Sequence, residues 1–580
     1  MSRFLDRVRS SQGVRSRGET VHLDGERNRA LETGRNRLLV TGAMFVLAFT
    51  VISGRMVEVT LFKGSANAAP HVAKSAADIG VERADVVDRN GVLLATSLPT
   101  VSLYARPKEI ADKANAARQV ASVLTDMSAS ELQSKLQENR AFIYLRRNLT
   151  PRQEYDVNAL GIPGLYFEKG EKRIYPQGEL TAHVVGLTDL DNKGIAGIEK
   201  SEERELKGRR EPLRLSIDVR VQTILRNELV NAVQEFSAVG ATGMVMDVRT
   251  GELLAMVSLP DFNPNYLSSA TSAAMFNRAT LGVYEMGSTF KLFNTAAMLD
   301  DGVGTPTSTF DATHPLEFAG FTIHDDHAQN RWLNMTEILI DSSNIGSARM
   351  AMELGIDRQR EFLGRMGLLH PASLELPEIG SPLIPNPWRE INSMTIAFGH
   401  GMAVTPLQLV TGVSALVNGG EMHPPTLLAR AEGEPVPETR VVKQQTSEEL
   451  RQMMRLVVTE GTGSTADVPG YGVAGKTGTA EKSGVGGYHK KALLSSFIAC
   501  FPVSDPRYVV LVMIDEPKGT KATFGLAQAH WNAAPAVGHV IAQIGPLLGM
   551  VPSPVPDVAP AKLPVAVNAV AKGSKLAEVE

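Results

Sequence analysis

The chain has 580 residues, 43% of them hydrophobic, more than one ordinary core accommodates, so two folded domains with tails are expected. Its 63 acidic and 59 basic residues leave a formal net charge of -4, which excludes the global basic signature of a nucleic-acid binder. A single cysteine, Cys500, excludes an intramolecular disulfide and any Cys-x-x-Cys motif, and its apolar surroundings make it a core residue.

Residues 1–37 hold nine arginines against five acids with little apolar periodicity, and read as a basic cytoplasmic tail. Leu38 to Gly54 then runs for 17 residues without a charge, a helix of roughly 25 Å, at the short end for crossing a membrane. Continuing it to Phe62 gives an anchor over 38–62, with Arg55 and Glu58 snorkelling or facing a partner helix. Arginines ahead of the span direct the rest of the chain outward. The small-residue run Ala66-Asn67-Ala68 lies beyond Arg55, Glu58 and Lys63, so an uncleaved anchor is expected rather than a signal peptide.

Residues 63–212 form a first exported domain, opened by a small, polar linker. Asp88-Arg89-Asn90-Gly91 between extended segments 84–87 and 92–96 predicts a hairpin, and helical patterns follow at 109–124 and 128–138. A second extended set takes in Tyr175-Pro176 and Ala182 to Gly186, with turns at Gly194 and Gly197. No acids, bases and nucleophiles converge here, so a binding or spacing module is expected.

The pattern changes over 213–545. Strands are predicted at 240–247, 252–259, 472–480, 493–501 and 508–515, with a long helical block inserted after the second. That order predicts an α+β domain: a five-stranded antiparallel sheet, helices on its faces and a cleft where the insertion meets it. Residues 546–580, rich in Pro, Ala and Val, read as a disordered tail.

Three motifs carry chemistry. Ser288 and Lys291, spaced i, i+3 at the start of a predicted helix, share one face, where a neutral lysine can take the hydroxyl proton. Ser-x-x-Lys alone arises by chance roughly twice in a chain this long. Ser342-Ser343-Asn344 reads by itself as a cap or turn. Lys476-Thr477-Gly478-Thr479 lies on a strand, with both threonines on one face and Gly478 as a gap for close ligand approach.

Ser342 follows Ser288 by 54 residues and Lys476 follows Ser342 by 134. In that order and spacing the set resembles the penicillin-binding proteins and serine β-lactamases. Arg83 with Val87 to Gly91, Arg173-x-Tyr175-Pro176, Gly197-Ile198-Glu199, Thr405-Pro406-Leu407-Gln408 and Asp515-Glu516-Pro517 narrow the resemblance to class B penicillin-binding proteins. The phrase Tyr284 to Lys291, with the short anchor and compact first domain, is most similar to the division-specific FtsI type.

The resemblance implies a transpeptidase domain on a pedestal (dimerisation-type) domain behind one transmembrane helix. It implies Ser288 as nucleophile toward peptidoglycan stem peptides, releasing terminal D-Ala, and as the site of β-lactam acylation. Lys291 would be the base, Ser342 and Lys476 a proton relay, Asn344 a ligand for the donor amide, and Thr477 and Thr479 ligands for the terminal carboxylate. The backbone N–H groups of Ser288 and Thr479 would form the oxyanion hole. It implies no metal, nucleotide or other cofactor and no nucleic-acid partner. A membrane glycosyltransferase of the FtsW kind and other division proteins would be partners, at the septum of the inner membrane. The competing readings are an elongation-specific transpeptidase, a carboxypeptidase or penicillin sensor, and a catalytically idle scaffold. Met286, His400 and Leu526-Ala527-Gln528 depart from the family pattern without removing a catalytic group, and His183, His327 and Trp388 are expected to serve packing.

Overall fold

The computed structural model describes residues 83–484 and 487–553, with Met44, Val46, Leu47, Phe49 and Thr50. The chain divides into two units, Met1–Gly80 and Val81–Glu580. In the first, the described positions are helical. Among the described residues no helix is long and apolar enough to cross a membrane. The tail 1–37, most of the expected anchor 38–62 and residues 554–580 lie outside them.

The pedestal is built on β1 (Val86–Val87) and β2 (Leu93–Ala105), the predicted hairpin with a longer second arm. Helices α1 (Lys113–Val123) and α2 (Ala129–Gln137) follow, each started by a side-chain cap: Asp112 accepts from Asn115 N and Ser128 from Glu131 N. Strand β3 (Ile143–Leu149), helix α3 (Pro151–Ala159) and strand β4 (Leu165–Ile174) complete the module. Strand β2 pairs with both β3 and β4. One face of this sheet sends Leu103, Ala105, Leu145 and Leu149 against Val120, Leu124, Leu132 and Leu136 of the helices.

The extended segment expected at 182–186 is instead helix α4 (Ala182–Val185), ended by Gly186. Two valines raise strand propensity, and four residues are too few for a helical period to show. Next comes helix α5 (Gly197–Ser201). Its Glu199, fully buried, accepts from Arg83 Nε at 2.5 Å and Arg173 Nε at 2.7 Å, while Arg83 also pairs with Glu203 at 2.7 Å. Arg173 further donates to Ala84 O and Ser97 Oγ. This network ties the start of the module to its end.

Strand β5 (Leu213–Arg214) runs parallel to β1, joining pedestal and catalytic parts within one unit. After helix α6 (Val219–Glu235) come β6 (Gly240–Asp247) and β7 (Leu253–Leu259), the predicted hairpin. The inserted block supplies helices α7 (Lys291–Asp300), α8 (Asn344–Leu354), α9 (Pro406–Val417) and α10 (Gln444–Thr459). Strands β8 (Ala474–Gly484), β9 (Gly487–Phe501) and β10 (Tyr508–Asp515) and helix α11 (Ala533–Leu547) close the domain. Helix α11 runs through Pro546, where the tail was expected to begin, and Ser553 N still donates to Gly470 O.

Sheet order is β8-β9-β10-β6-β7, antiparallel throughout. Strand β10 is buried at every position because both faces are covered. Val510, Val512 and Ile514 pack toward Leu225, Leu229, Val537 and Ile541, while Val509, Leu511 and Met513 belong to the core of the helical block. The alternation of a strand thus divides one segment between two cores. The order leaves β8, which carries Lys476, at an edge.

Glu199→Ala leaves the buried Arg173 guanidinium without a carboxylate and Arg83 with Glu203 alone. It is expected to cost about 3–5 kcal/mol, measured as a lowered unfolding midpoint of the detergent-solubilised chain.

Candidate active site

Ser288, the expected nucleophile, sits on a 3-10 turn, Gly287–Phe290, rather than in the first turn of an α-helix, and α7 begins at Lys291. A 3-10 turn eclipses positions i and i+3, which sets Lys291 Nζ 2.9 Å from Ser288 Oγ. Close packing holds the turn. Gly287 has φ +55°, and a Cβ there would lie 2.6 Å from Thr479 O. Gly399, at φ +86°, stacks on its other side, where a Cβ would lie 1.9 Å from Gly287 O. The turn is thereby clamped between the Gly399 loop and β8, and a side chain at either glycine would break the stack.

Ser342 comes in from the helical block at φ +59°, a left-handed conformation that costs a serine about 1–3 kcal/mol. The kink turns its hydroxyl between two lysines, 3.1 Å from Lys291 Nζ and 3.0 Å from Lys476 Nζ. Its carbonyl accepts from Lys291 at 2.6 Å. Ser343 caps α8 by accepting from Gly346 N. Asn344 Oδ1 accepts from Lys291 at 2.7 Å, and its Nδ2 donates to His324 O at 3.0 Å.

Strand β8 supplies the third wall. Lys476 Nζ lies 3.2 Å from both Thr477 O and Thr477 Oγ1, and Thr477 Oγ1 is 2.8 Å from Thr462 Oγ1. Thr479 Oγ1 accepts from Ala529 N at 3.4 Å. The expected gap at Gly478 is filled by the protein itself: a Cβ there would meet Ser496 Oγ at 2.5 Å and Met286 O and Thr289 Cγ2 at 2.8 Å. Glycine at 478 lets the nucleophile turn press against the strand, which corrects the reading of an opening for ligand. Beyond Thr479 a cleft of about 240 Å³ continues, lined in part by Tyr284, Glu285, Gly401, Glu481 and Lys482.

Electrostatics follows from burial. Lys291 is 1% exposed and Lys476 fully buried. Desolvation brings Lys291 down to about 7, opposed by the nearby charges of Asp325 and Asp326. Lys476 is held well below the ordinary lysine value by burial and then by repulsion from Lys291. A neutral amine 2.9 Å from a serine hydroxyl has the reach that general-base chemistry requires.

All eight residues expected at the site are thus brought to it. Ser288, Lys291, Ser342 and Lys476 form one continuous chain of contacts; Asn344, Thr477, Gly478 and Thr479 border it. Sequence reasoning missed Gly399, Thr462 and Asp325. Asp325 accepts from Ser343 Oγ, Asn344 N and Ile345 N. It sits within His324-Asp325-Asp326-His327, a charged tetrapeptide that was the one available signal. His183 is a packing residue as expected: its Nε2 donates to Ala274 O at 2.8 Å, and burial lowers it to about 4. Among the described residues one group has metal-ligand chemistry, Glu421, His423 and Glu438; it includes no residue of this site, and its Glu421 is paired with Arg440.

An antiparallel sheet whose edge strand, with a helical block, brackets an activated serine defines a serine acyl-transfer enzyme. Family comparison agrees: the penicillin-binding protein transpeptidase domain matches residues 241–535, and the penicillin-binding protein dimerisation domain matches 78–234. The chain is 42% identical over 487 residues to the probable peptidoglycan D,D-transpeptidase FtsI of Caulobacter vibrioides, covering 81% of this chain and 82% of that one. It is 32% identical over 486 residues to FtsI of Escherichia coli K12, covering 78% and 82%. Apo penicillin-binding protein 3 of Mycobacterium tuberculosis superimposes with a TM-score of 0.63 at 26% identity, covering 82% of this chain and 97% of that one. The chain belongs to the class B penicillin-binding proteins, of the FtsI type.

Because the neutral fraction of Lys291 grows as pH rises through about 7, acylation of Ser288 should rise about tenfold per unit below that pH and level off above it. Stopped-flow labelling with a chromogenic β-lactam across pH 5 to 9, a range set by roughly two units either side, measures the profile.

Proposed function

We propose that this chain is a peptidoglycan D,D-transpeptidase that crosslinks stem peptides of septal wall. The observation that carries the reading is the unbroken run Ser288–Lys291–Ser342–Lys476, closed by contacts of 2.9 to 3.1 Å. Neutral Lys291 takes the Ser288 proton as Oγ attacks the carbonyl of the penultimate D-Ala. Ser342, hydrogen-bonded to Lys476, hands its proton to the departing amine of the terminal D-Ala and is reprotonated by Lys291, which is neutral again for the second step. The amine of a second stem then attacks the acyl-enzyme, its proton returns through Lys291, and Ser288 is released.

Thr477 and Thr479 hold the terminal carboxylate. The N–H groups of Ser288 and Thr479 receive the oxyanion; close packing of Gly287 on the Thr479 backbone supports this pairing. Asn344 is held at both ends of its amide by Lys291 and His324, so it orients Lys291 as well as contacting the donor. The exposed edge of β8 suits an extended peptide added as a further strand. β-Lactams acylate the same serine.

In this reading the domains are a cytoplasmic tail (1–37), an anchor (38–62), a pedestal (63–212), a transpeptidase domain from 213 through helix α11, and a C-terminal tail after it. The protein sits in the inner membrane with its catalytic part in the periplasm, alongside an FtsW-type glycosyltransferase and other division proteins. Ser288→Ala should abolish covalent labelling by fluorescent penicillin and crosslinking of lipid-linked stems, with the thermal midpoint retained. Undiminished labelling in that variant would sink the reading. A tagged chain should collect at midcell; distribution along the lateral wall would assign it to elongation instead.

A further inference from the structure

The loop between strands Phe321–Ile323 and Trp332–Asn334 carries a carboxylate that the transfer chemistry itself does not use. Asp325 Oδ1 accepts from Asn344 N at 2.5 Å and Ile345 N at 2.9 Å, and Oδ2 accepts from Ser343 Oγ at 2.7 Å. Ser343 Oγ in turn accepts from Gly346 N at 2.9 Å. Two side chains thus satisfy the first three N–H groups of α8, and the neighbouring carbonyl of His324 holds the Asn344 amide. We infer that Asp325 is a positioning residue for acylation, holding the Ser342–Asn344 turn in register with Ser288 and Lys291.

This inference rests on the proposed transpeptidase reading. Its physical basis is over-determination. Ser342 keeps a positive φ, which a serine holds only when its surroundings fix it. The residues after it are pinned by a loop some 20 positions away, so the hydroxyl between the lysines cannot relax without breaking three hydrogen bonds to one carboxylate.

The same carboxylate faces Lys291 electrostatically. Groups of several elements act there: the Ser288 hydroxyl from the 3-10 turn, Ser342 and Asn344 from the start of α8, Lys476 from β8, His400 from its loop, and Asp325 with Asp326. Burial opposes the ammonium; the two aspartates favour it. Asp326 has no hydrogen bond to the turn among the described residues, so the two acids separate charge from positioning.

The test is the pH profile of fluorescent-penicillin acylation, with thermal midpoint, for the full-length protein and for Asp325→Asn, Asp325→Ala and Asp326→Asn. Asp325→Asn should lower the high-pH plateau roughly tenfold or more and Asp325→Ala about 100-fold, both with the profile displaced to lower pH. Asp326→Asn should displace the profile the same way and keep the plateau. A wild-type plateau in Asp325→Asn overturns the inference. So does a plateau loss that comes with an undisplaced profile and a collapsed thermal midpoint, the mark of a merely structural role. Failure of the underlying reading is a separate observation: label retained in Ser288→Ala.

Discussion

Two buried lysines share one serine hydroxyl, and the catalytic domain is organised around that arrangement. Lys291 and Lys476 both reach Ser342 Oγ, one from the insertion and one from the edge of the sheet. Neither ammonium can keep its ordinary affinity for protons where water is excluded, and the charge of Lys291 makes that of Lys476 more costly still. Desolvation therefore lowers Lys291 to where it can serve as a base at neutral pH. The condition is that three segments far apart in sequence stay within a few tenths of an ångström of their places.

The fold meets that condition with rigid parts. Strand β10 is divided between two cores and pins the middle of the sheet, while β8 forms its edge. The helical block presses the nucleophile turn onto that edge through Gly287 and Gly478. The pedestal joins by β5 running beside β1, continuous with the chain entering α6. Its Arg83–Glu199–Arg173 network buries charge, and every member is paired.

How much of this was legible depended on the kind of signal. The sheet strands showed as apolar runs because both faces are covered, and α1 and α2 showed through the helical patterns at 109–124 and 128–138. The eight site residues were legible as motifs in order. Geometry that depends on tertiary packing was not. The 3-10 turn under Ser288 has the same sequence spacing as an α-helix. Gly478 gave no sign of what would fill its space. Helix α4 was too short to outweigh its valines. Asp325 lies in a run of three-residue strands without periodicity, and its partners are fixed only when the loop folds over α8.

The stack of Gly399, Gly287 and the Thr479 backbone also governs how such a site changes under selection by antibiotics. Any substitution at either glycine adds a Cβ within 3 Å of a backbone carbonyl, so escape by reshaping the nucleophile turn removes the enzyme along with its sensitivity. The cleft beyond Thr479 is lined instead by side chains, among them Glu285, Glu481 and Lys482, whose replacement adds no atom to that stack. Resistance in this chain would therefore evolve by altered fit at the rim, in small steps, and not by loss of the reacting groups.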